Sequence, residues 1–155
     1  MLKIGNPAPD FELQDQSGTT ITLERILSNG ELILYFYPAD FSPVCTKEAC
    51  VFRDSFAGLE EVGTQIVGIS PQSFESHQRF AKSFSIPFPL LSDPGKKAIR
   101  AYGVDGPLGF GVRRVTFLID QAKIVRNRVV SDLFLDSHTD LIRKTISGHK
   151  AMGSE

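Results

Sequence analysis

The fold of this chain is limited most by an unbroken run of apolar side chains at residues 32–37. A strand with one face in water alternates apolar and polar residues, so a continuous run is typical of a strand covered on both faces. Residues 65–70 have the same character, and residues 43–63 between the two runs have a helical pattern. Two buried strands joined by a helix predict an α/β fold with parallel strands at its centre.

Further elements are expected around these two strands. Single Gly, Pro and Ser residues separate them as turn and capping signals, and no repeat or linker interrupts the pattern. We expect short strands at 11–13, 20–23 and 90–92, helices at 73–84 and 96–102, a hairpin at 115–130, and a last helix capped by Ser137 and ended by Gly148. Residues 1–155 are thus predicted to form one domain with a mixed sheet. This order of elements resembles thioredoxin-like domains with an N-terminal hairpin added.

Composition and charge argue against several classes of protein. The chain has 17 Lys and Arg against 18 Asp and Glu, a net charge of −1 that does not suit binding to nucleic acid or to an anionic membrane. No stretch approaches the ~18 apolar residues of a membrane span, and the first residues lack the apolar core of a signal peptide, so we expect a cytoplasmic location. Two cysteines, three scattered histidines and a loop at 106–111 without a nucleotide-binding pattern predict neither a metal site nor a cofactor.

Two cysteines, Cys45 and Cys50, lie near the start of the helix expected at 43–63. Ser42 is a favoured N-cap and Pro43 a favoured first helical residue, which places Cys45 in the first turn. Free N–H groups and the positive end of the helix dipole favour a thiolate there, and reactive cysteines obtain a lowered pKa in this way. Cys45 also falls on the apolar face, where a thiolate needs a nearby cation. The alternative is that Cys45 is a small buried hydrophobic residue.

Cys50 lies roughly 140° around the helix from Cys45, on the polar face, where a cysteine does not fill the core. In an intact helix the two Cα atoms are about 8.7 Å apart. A disulfide needs a Cα separation of roughly 4.4–6.8 Å, so the two thiols can pair only if the first turns of the helix unwind. Their spacing also differs from the C-x-x-C motif of thioredoxin-type reductases.

Several separate segments of the chain resemble the peroxiredoxins, in the order in which that family has them. Pro38, Ser42 and Cys45 fall on the family signature Pro-x-x-x-Thr/Ser-x-x-Cys, and residues 45–50 resemble the bacterioferritin-comigratory or PrxQ branch of the AhpC/TSA superfamily. Most members have Thr where this chain has Ser42, which keeps the hydroxyl and loses the methyl group. The likeness covers nearly the whole chain and includes residues 4–11, 87–93 and 114–120.

This resemblance implies a thiol-dependent peroxidase and a role for each matching residue. Cys45 is the peroxidatic cysteine, and Arg114 is the cation that stabilises its thiolate and polarises the peroxide. The Ser42 hydroxyl and the Cys45 backbone N–H donate hydrogen bonds to the departing oxygen, while Pro38 shields the pocket. Glu48 orients the arginine and does not react.

The resemblance also implies how the oxidised site returns to the thiol. Cys50 is the resolving cysteine, which condenses with the Cys45 sulfenic acid to give an intramolecular disulfide. A thioredoxin-like or glutaredoxin-like protein then reduces that disulfide. Hydrogen peroxide and organic hydroperoxides are the expected substrates. Because both cysteines lie in one helix, catalysis needs no partner chain, and we expect a monomer or weak dimer.

Two other functions are alternatives on the sequence alone. A general thiol–disulfide oxidoreductase would exchange rapidly with protein disulfides in the absence of peroxide, and the cysteine spacing argues against it. A non-catalytic binding or holdase module with the same fold would show ordinary thiol reactivity and no preference for peroxide.

Overall fold

Strands and helices alternate along the chain, as the sequence predicts. The computed structural model describes residues 1–132 and 135–153. Its strands are β1 (Glu12–Gln14), β2 (Thr20–Thr22), β3 (Glu31–Phe36), β4 (Thr64–Ser70), β5 (Leu90–Ser92), β6 (Val115–Ile119) and β7 (Val125–Val130). Its helices are α1 (Leu23–Leu27), α2 (Pro43–Glu61), α3 (Phe74–Phe84), α4 (Lys97–Ala101) and α5 (Asp136–Gly153), with a 3-10 turn at Pro107–Gly109. None of the helices in these ranges is long and apolar enough to cross a membrane.

These strands form one mixed sheet in the order β2-β1-β5-β4-β3-β6-β7. Strand β3 pairs parallel with β4, and β4 with β5, while β6 runs antiparallel to both β3 and β7. The hairpin of β1 and β2 joins the sheet through an antiparallel contact between β1 and β5. The α/β class, the mixed central sheet and the N-terminal hairpin are therefore confirmed.

Strand β3 is buried on both faces, which explains the unbroken apolar run in its sequence. Leu32, Leu34 and Phe36 belong to one hydrophobic cluster, which also contains residues of α1 and α4. Ile33 and Tyr35 belong to a second cluster, formed with residues of α2, α3 and α5. Because successive side chains of a strand point to opposite faces, every position of β3 from Leu32 to Phe36 needs an apolar residue.

The predicted end of the strand at 20–23 is wrong, because the short helix α1, which was not predicted, begins at Leu23. β2 ends at Thr22, whose hydroxyl accepts a hydrogen bond from the backbone N–H of Arg25 and so caps α1. Threonine is favoured both in strands and at the N-cap of a helix, so the sequence is ambiguous at this boundary. The helix turns the chain so that Leu23, Ile26 and Leu27 are buried.

Both expected ends of the last helix are also wrong. The carbonyl of Leu135 accepts a hydrogen bond from the backbone N–H of Thr139, so the helix starts at Asp136 and Ser137 lies inside it instead of capping it. The helix then continues past Gly148 to Gly153. One glycine inside a helix costs only about 1 kcal/mol, which is less than burial of residues such as Leu141 contributes to the same helix.

Tyr35 lies against Gly68 across the pair of β3 and β4, and this close approach can be tested. A Cβ added at Gly68 would lie 2.8 Å from Cζ of the Tyr35 ring. The ring has little room to move away, because it packs against Phe52 and Tyr37 at centroid distances of 4.5 and 5.4 Å. We therefore expect Gly68→Ala to lower the free energy of unfolding, measured by urea denaturation, by about 1–3 kcal/mol.

Gly148→Ala is the matched control for this substitution. Gly148 lies in α5, where no atom of the described residues comes within 4 Å of an added Cβ. Since alanine is a better helix former than glycine, this variant should gain roughly 0.5–1 kcal/mol of stability. Small effects of the same sign from both substitutions would contradict the close packing of Tyr35 on Gly68.

Candidate active site

The register of the sheet brings the two halves of the site to one edge. Phe36, at the end of β3, pairs with Val115, the first residue of β6. Because these strands are antiparallel, the chain that leaves β3 and the chain that enters β6 lie side by side. The start of α2 is therefore close to Arg114, although Cys45 and Arg114 are 69 positions apart in the sequence.

Cys45 lies in the first turn of α2, as the sequence predicts, and is 1% exposed. Ser42 is the N-cap by its backbone conformation, with φ −68° and ψ 147°, and Pro43 is the first helical residue. The Ser42 side chain makes no capping hydrogen bond, so the first amide N–H groups at the positive end of the helix remain available to a bound ligand. Ala49 and Phe52 are buried on the same face, which confirms that Cys45 faces the core.

Arg114 holds the Cys45 sulfur and the Glu48 carboxylate with two nitrogens of one guanidinium. Its Nη2 donates to Cys45 Sγ at 3.2 Å, and its Nη1 donates to Glu48 Oε1 at 2.8 Å. Arg114 is 4% exposed and Glu48 is 1% exposed. A planar guanidinium presents its donors in a fixed geometry, so binding to Glu48 also fixes the direction in which Nη2 points at the sulfur.

Burial of the cluster formed by Cys45, Glu48 and Arg114 affects the pKa values of its charged groups. It raises the pKa of Glu48 to about 7, against the opposing effect of Arg114. It would lower the pKa of Arg114, but Glu48 and Cys45 outweigh that effect and hold the pKa above its ordinary value. Glu48 Oε2 is buried and has no hydrogen-bond partner among the described residues. One permanent cation thus faces two groups that can each become anionic, and it can neutralise only one of them.

Ser42 and Pro38 lie in the loop between β3 and α2. The Ser42 hydroxyl donates to the carbonyl of Ala39 at 3.1 Å and does not bond to the helix. A hydroxyl has one proton, so this hydroxyl must rotate before it can donate to a peroxide. Pro38 is half-buried and is the second residue after β3.

Cys50 lies one and a half turns further along α2 than Cys45. It is half-buried, between the exposed residues Lys47 and Asp54 of the outer face, as the sequence predicts. Both cysteines are free, and α2 is continuous through them. The structure therefore shows the folded dithiol form.

Sequence reasoning missed Asp132, which orients Arg114 from behind. Its carboxylate accepts hydrogen bonds from the Arg114 backbone N–H at 3.0 Å and from Arg113 Nη2 at 2.8 Å. Its carbonyl accepts a further bond from Arg114 Nε at 3.3 Å. The register of the hairpin is the signal that could have found it: Val115 pairs with Val130, which brings the residues that follow β7 opposite Arg114.

His138 of α5 is a second residue behind the site that the sequence did not indicate. It is 1% exposed; its Nδ1 lies 2.7 Å from Thr116 Oγ1 and 3.9 Å from Glu48 Oε2. Its Nε2 lies 3.1 Å from the Ser131 carbonyl, which can only accept, so this nitrogen carries the proton. Burial lowers the pKa of His138. A neutral imidazole therefore faces Glu48.

Comparison with known sequences gives consistent matches over most of the chain. A family model described as the AhpC/TSA family matches residues 4–128. A chloroplastic peroxiredoxin Q of Sedum lineare is 38% identical over 148 residues, which cover 94% of this chain and 78% of that protein. Matches to further chloroplastic peroxiredoxin Q sequences cover 56 to 57% of those longer proteins.

Solved structures agree with the sequence matches. The crystal structure of peroxidoxin BcpB from Mycobacterium tuberculosis superposes with a TM-score of 0.88 at 39% identity, covering 96% of this chain and 98% of that one. Peroxiredoxin Q of Xanthomonas campestris superposes with a TM-score of 0.79 at 30% identity, covering 91% and 90%. These likenesses confirm the thioredoxin-like fold expected from the order of elements.

The raised pKa of Glu48 predicts how stability depends on pH. In the unfolded chain this carboxyl ionises near the ordinary glutamate pKa of 4.5, whereas in the folded protein its pKa is raised to about 7, so it keeps its proton up to that pH. Its contribution to stability is therefore complete below pH 4.5 and is lost as the pH rises to about 7. Relative to Glu48→Gln, which does not titrate, the unfolding free energy of the unaltered protein should fall by on the order of 3 kcal/mol across this range.

Urea denaturation of both proteins at several pH values measures this difference. A difference that is constant between pH 4.5 and 7, or that grows in favour of the unaltered protein, would show that Glu48 is ionised throughout.

Proposed function

Because this chain belongs to the peroxiredoxin Q branch of the AhpC/TSA family of thiol-dependent peroxidases, we propose that Cys45 is its peroxidatic residue. The observation that carries this assignment is the 3.2 Å contact between Arg114 Nη2 and Cys45 Sγ. A guanidinium stays charged when it is buried, so it stabilises a thiolate beside it more than a thiol. Exposure alone would favour Cys50, which is less buried than Cys45.

The proposed reaction begins with attack of the Cys45 thiolate on the nearer oxygen of the peroxide. The sulfur–oxygen bond forms as the oxygen–oxygen bond breaks, which gives Cys45 sulfenic acid and a departing hydroxide or alkoxide. The departing oxygen takes a proton and leaves as water or an alcohol. Sulfur is oxidised and the peroxide is reduced by two electrons, so no cofactor is required.

Negative charge develops on the departing oxygen, and the site holds donors for it. Arg114 and the uncapped N–H of Cys45 are fixed in place, which is the condition for strong stabilisation of a transition state. The Ser42 hydroxyl joins them after it leaves the carbonyl of Ala39. Glu48 acts on the reaction through Arg114, because its bond to Nη1 sets the direction of the guanidinium.

Cys50 is the proposed resolving residue. Its thiol attacks the Cys45 sulfenic acid, and a disulfide and one molecule of water are formed. The continuous helix α2 holds the two Cα atoms about 8.7 Å apart, beyond the reach of a disulfide. The first turns of α2 must therefore unwind before this step and re-form after reduction.

The reductant in this proposal is a protein dithiol of the thioredoxin or glutaredoxin type. Reduction of an intramolecular disulfide consumes two thiols and returns both cysteines, which a dithiol protein supplies in one encounter. Hydrogen peroxide and organic hydroperoxides are the proposed substrates. Because both cysteines come from α2, the cycle is complete within one chain, which supports a monomer or weak dimer.

The two cysteine roles are tested by single substitutions. Cys45→Ser should reduce peroxide consumption, coupled to thioredoxin and its reductase, to the background rate. Cys50→Ser should still be oxidised at Cys45 by one equivalent of peroxide, but mass spectrometry should find the Cys45 sulfenic acid and turnover with thioredoxin should be lost. Full turnover of peroxide by Cys45→Ser would contradict the assignment, and so would undiminished thioredoxin-coupled turnover by Cys50→Ser.

The role of Arg114 is tested against its neighbour. Arg114→Lys keeps one charge but cannot bind Cys45 and Glu48 with two nitrogens, so kcat/KM for peroxide should fall on the order of 10²–10³-fold. Arg113→Lys is the matched control, because Arg113 forms a partly exposed ion pair with Asp132 and should change kcat/KM by less than about twofold. Equal losses in both variants would contradict a specific role for Arg114.

A further inference from the structure

A buried cluster around Asp40 ties the loop before Cys45 to the body of the protein. The Asp40 carboxylate is fully buried and accepts hydrogen bonds from Tyr37 Oη at 2.7 Å and from Ser76 Oγ at 2.8 Å. His77 Nδ1 lies 2.6 Å from the same carboxylate. The His77 side chain is fully buried as well.

The contacts of His77 fix where its protons are. Its Nε2 lies 3.1 Å from the carbonyl of Leu91, which can only accept, so Nε2 carries a proton. At 2.6 Å, the contact between Nδ1 and Asp40 also needs a proton, which the two groups share. Every polar atom of the pair is therefore buried and hydrogen-bonded.

The cluster anchors the loop between β3 and α2 only as far as Asp40. Up to Asp40 the chain is held by α3 through Ser76 and His77, and by β5 through His77 and Leu91. The next residue, Phe41, has a φ of 64°, a left-handed conformation that is strained for a residue with a Cβ. Its side chain is 48% exposed and rests on the rings of α3. The strained residue, Phe41, thus lies between the part of the loop that is anchored up to Asp40 and the N-cap of α2.

We propose that the Asp40–His77 pair is a positioning element that holds the chain before Phe41 in the same place in the dithiol and disulfide states. The unwinding that joins Cys45 to Cys50 is then confined to residues from Phe41 onward. This inference rests on the proposed function, because it presupposes that disulfide. Anchored in this way, the start of α2 returns to the same position beside Arg114 after each reduction.

Hydrogen exchange of the unaltered protein in the two redox states tests the proposal directly. In the peroxide-treated protein we expect amides of residues 46–50, which are hydrogen-bonded within α2, to exchange much faster than in the dithiol form. The amides of Tyr37 and His77, which donate to the carbonyls of Ile69 and Ser73, should keep the same protection in both forms. Fast exchange of these two amides in the disulfide form would overturn the inference and leave the proposed function standing. Failure to form the Cys45–Cys50 disulfide would overturn both.

Two substitutions of His77 separate positioning from general stability. His77→Gln can retain the bond to Leu91 but not the one to Asp40, whereas His77→Asn can retain the bond to Asp40. We expect the rate of Cys45 oxidation by peroxide to fall on the order of 10–100-fold in His77→Gln, and by less than about threefold in His77→Asn.

The midpoint of urea unfolding is measured for these variants and for Tyr37→Phe, so that loss of stability is recorded separately from loss of rate. Tyr37→Phe removes one hydrogen bond to Asp40 with little change of volume and should give a smaller loss of rate than His77→Gln. A rate of Cys45 oxidation that follows stability alone in all three variants would overturn the positioning role.

Discussion

The structure of the site depends on one guanidinium that two buried acidic groups share. Arg114 neutralises a single negative charge, yet both the Cys45 thiol and the Glu48 carboxyl lie within hydrogen-bond distance of it. Burial holds the pKa of Glu48 at about 7, which keeps a fraction of this carboxyl neutral near neutral pH. Where Glu48 is neutral, the whole charge of Arg114 is available to the thiolate. The competition for one cation therefore links the reactivity of the sulfur to the protonation of a carboxyl in the same helix.

The fold around this cluster delivers the cation and then keeps it in place. Antiparallel pairing of Phe36 with Val115 puts the start of α2 beside the start of β6. Asp132 then holds Arg114 through its backbone N–H and its Nε, which leaves the two terminal nitrogens free for Cys45 and Glu48. The helix supplies a further constraint, because α2 in its intact form separates Cys45 from Cys50. The intact helix that places the Cys45 sulfur beside Arg114 also prevents the disulfide, so the proposed cycle needs two conformations of the same segment.

The sequence predicts the central features well, because they are local or periodic. The unbroken run in β3 indicates burial on both faces, and the cap, the proline and the helical period place Cys45 in the first turn facing the core. Arg114 was different: the pocket requires a cation, but only the family resemblance indicated which of the arginines supplies it. Asp132 and His138 were not predicted, because strand pairing brings Asp132 to Arg114 and helix packing brings His138 to Glu48, and neither pair is close in sequence. The same holds for the pairing of Asp40 with His77, which are 37 positions apart.

The central claim is that the contact with Arg114, and not exposure, decides which sulfur reacts first. The most direct measurement is to treat the reduced protein with less than one equivalent of hydrogen peroxide in the presence of a cyclic 1,3-dione, which traps sulfenic acids, and to map the adduct by mass spectrometry. If Arg114 controls reactivity, the adduct forms on Cys45, which is 1% exposed. An adduct found mainly on the more accessible Cys50 would contradict the claim.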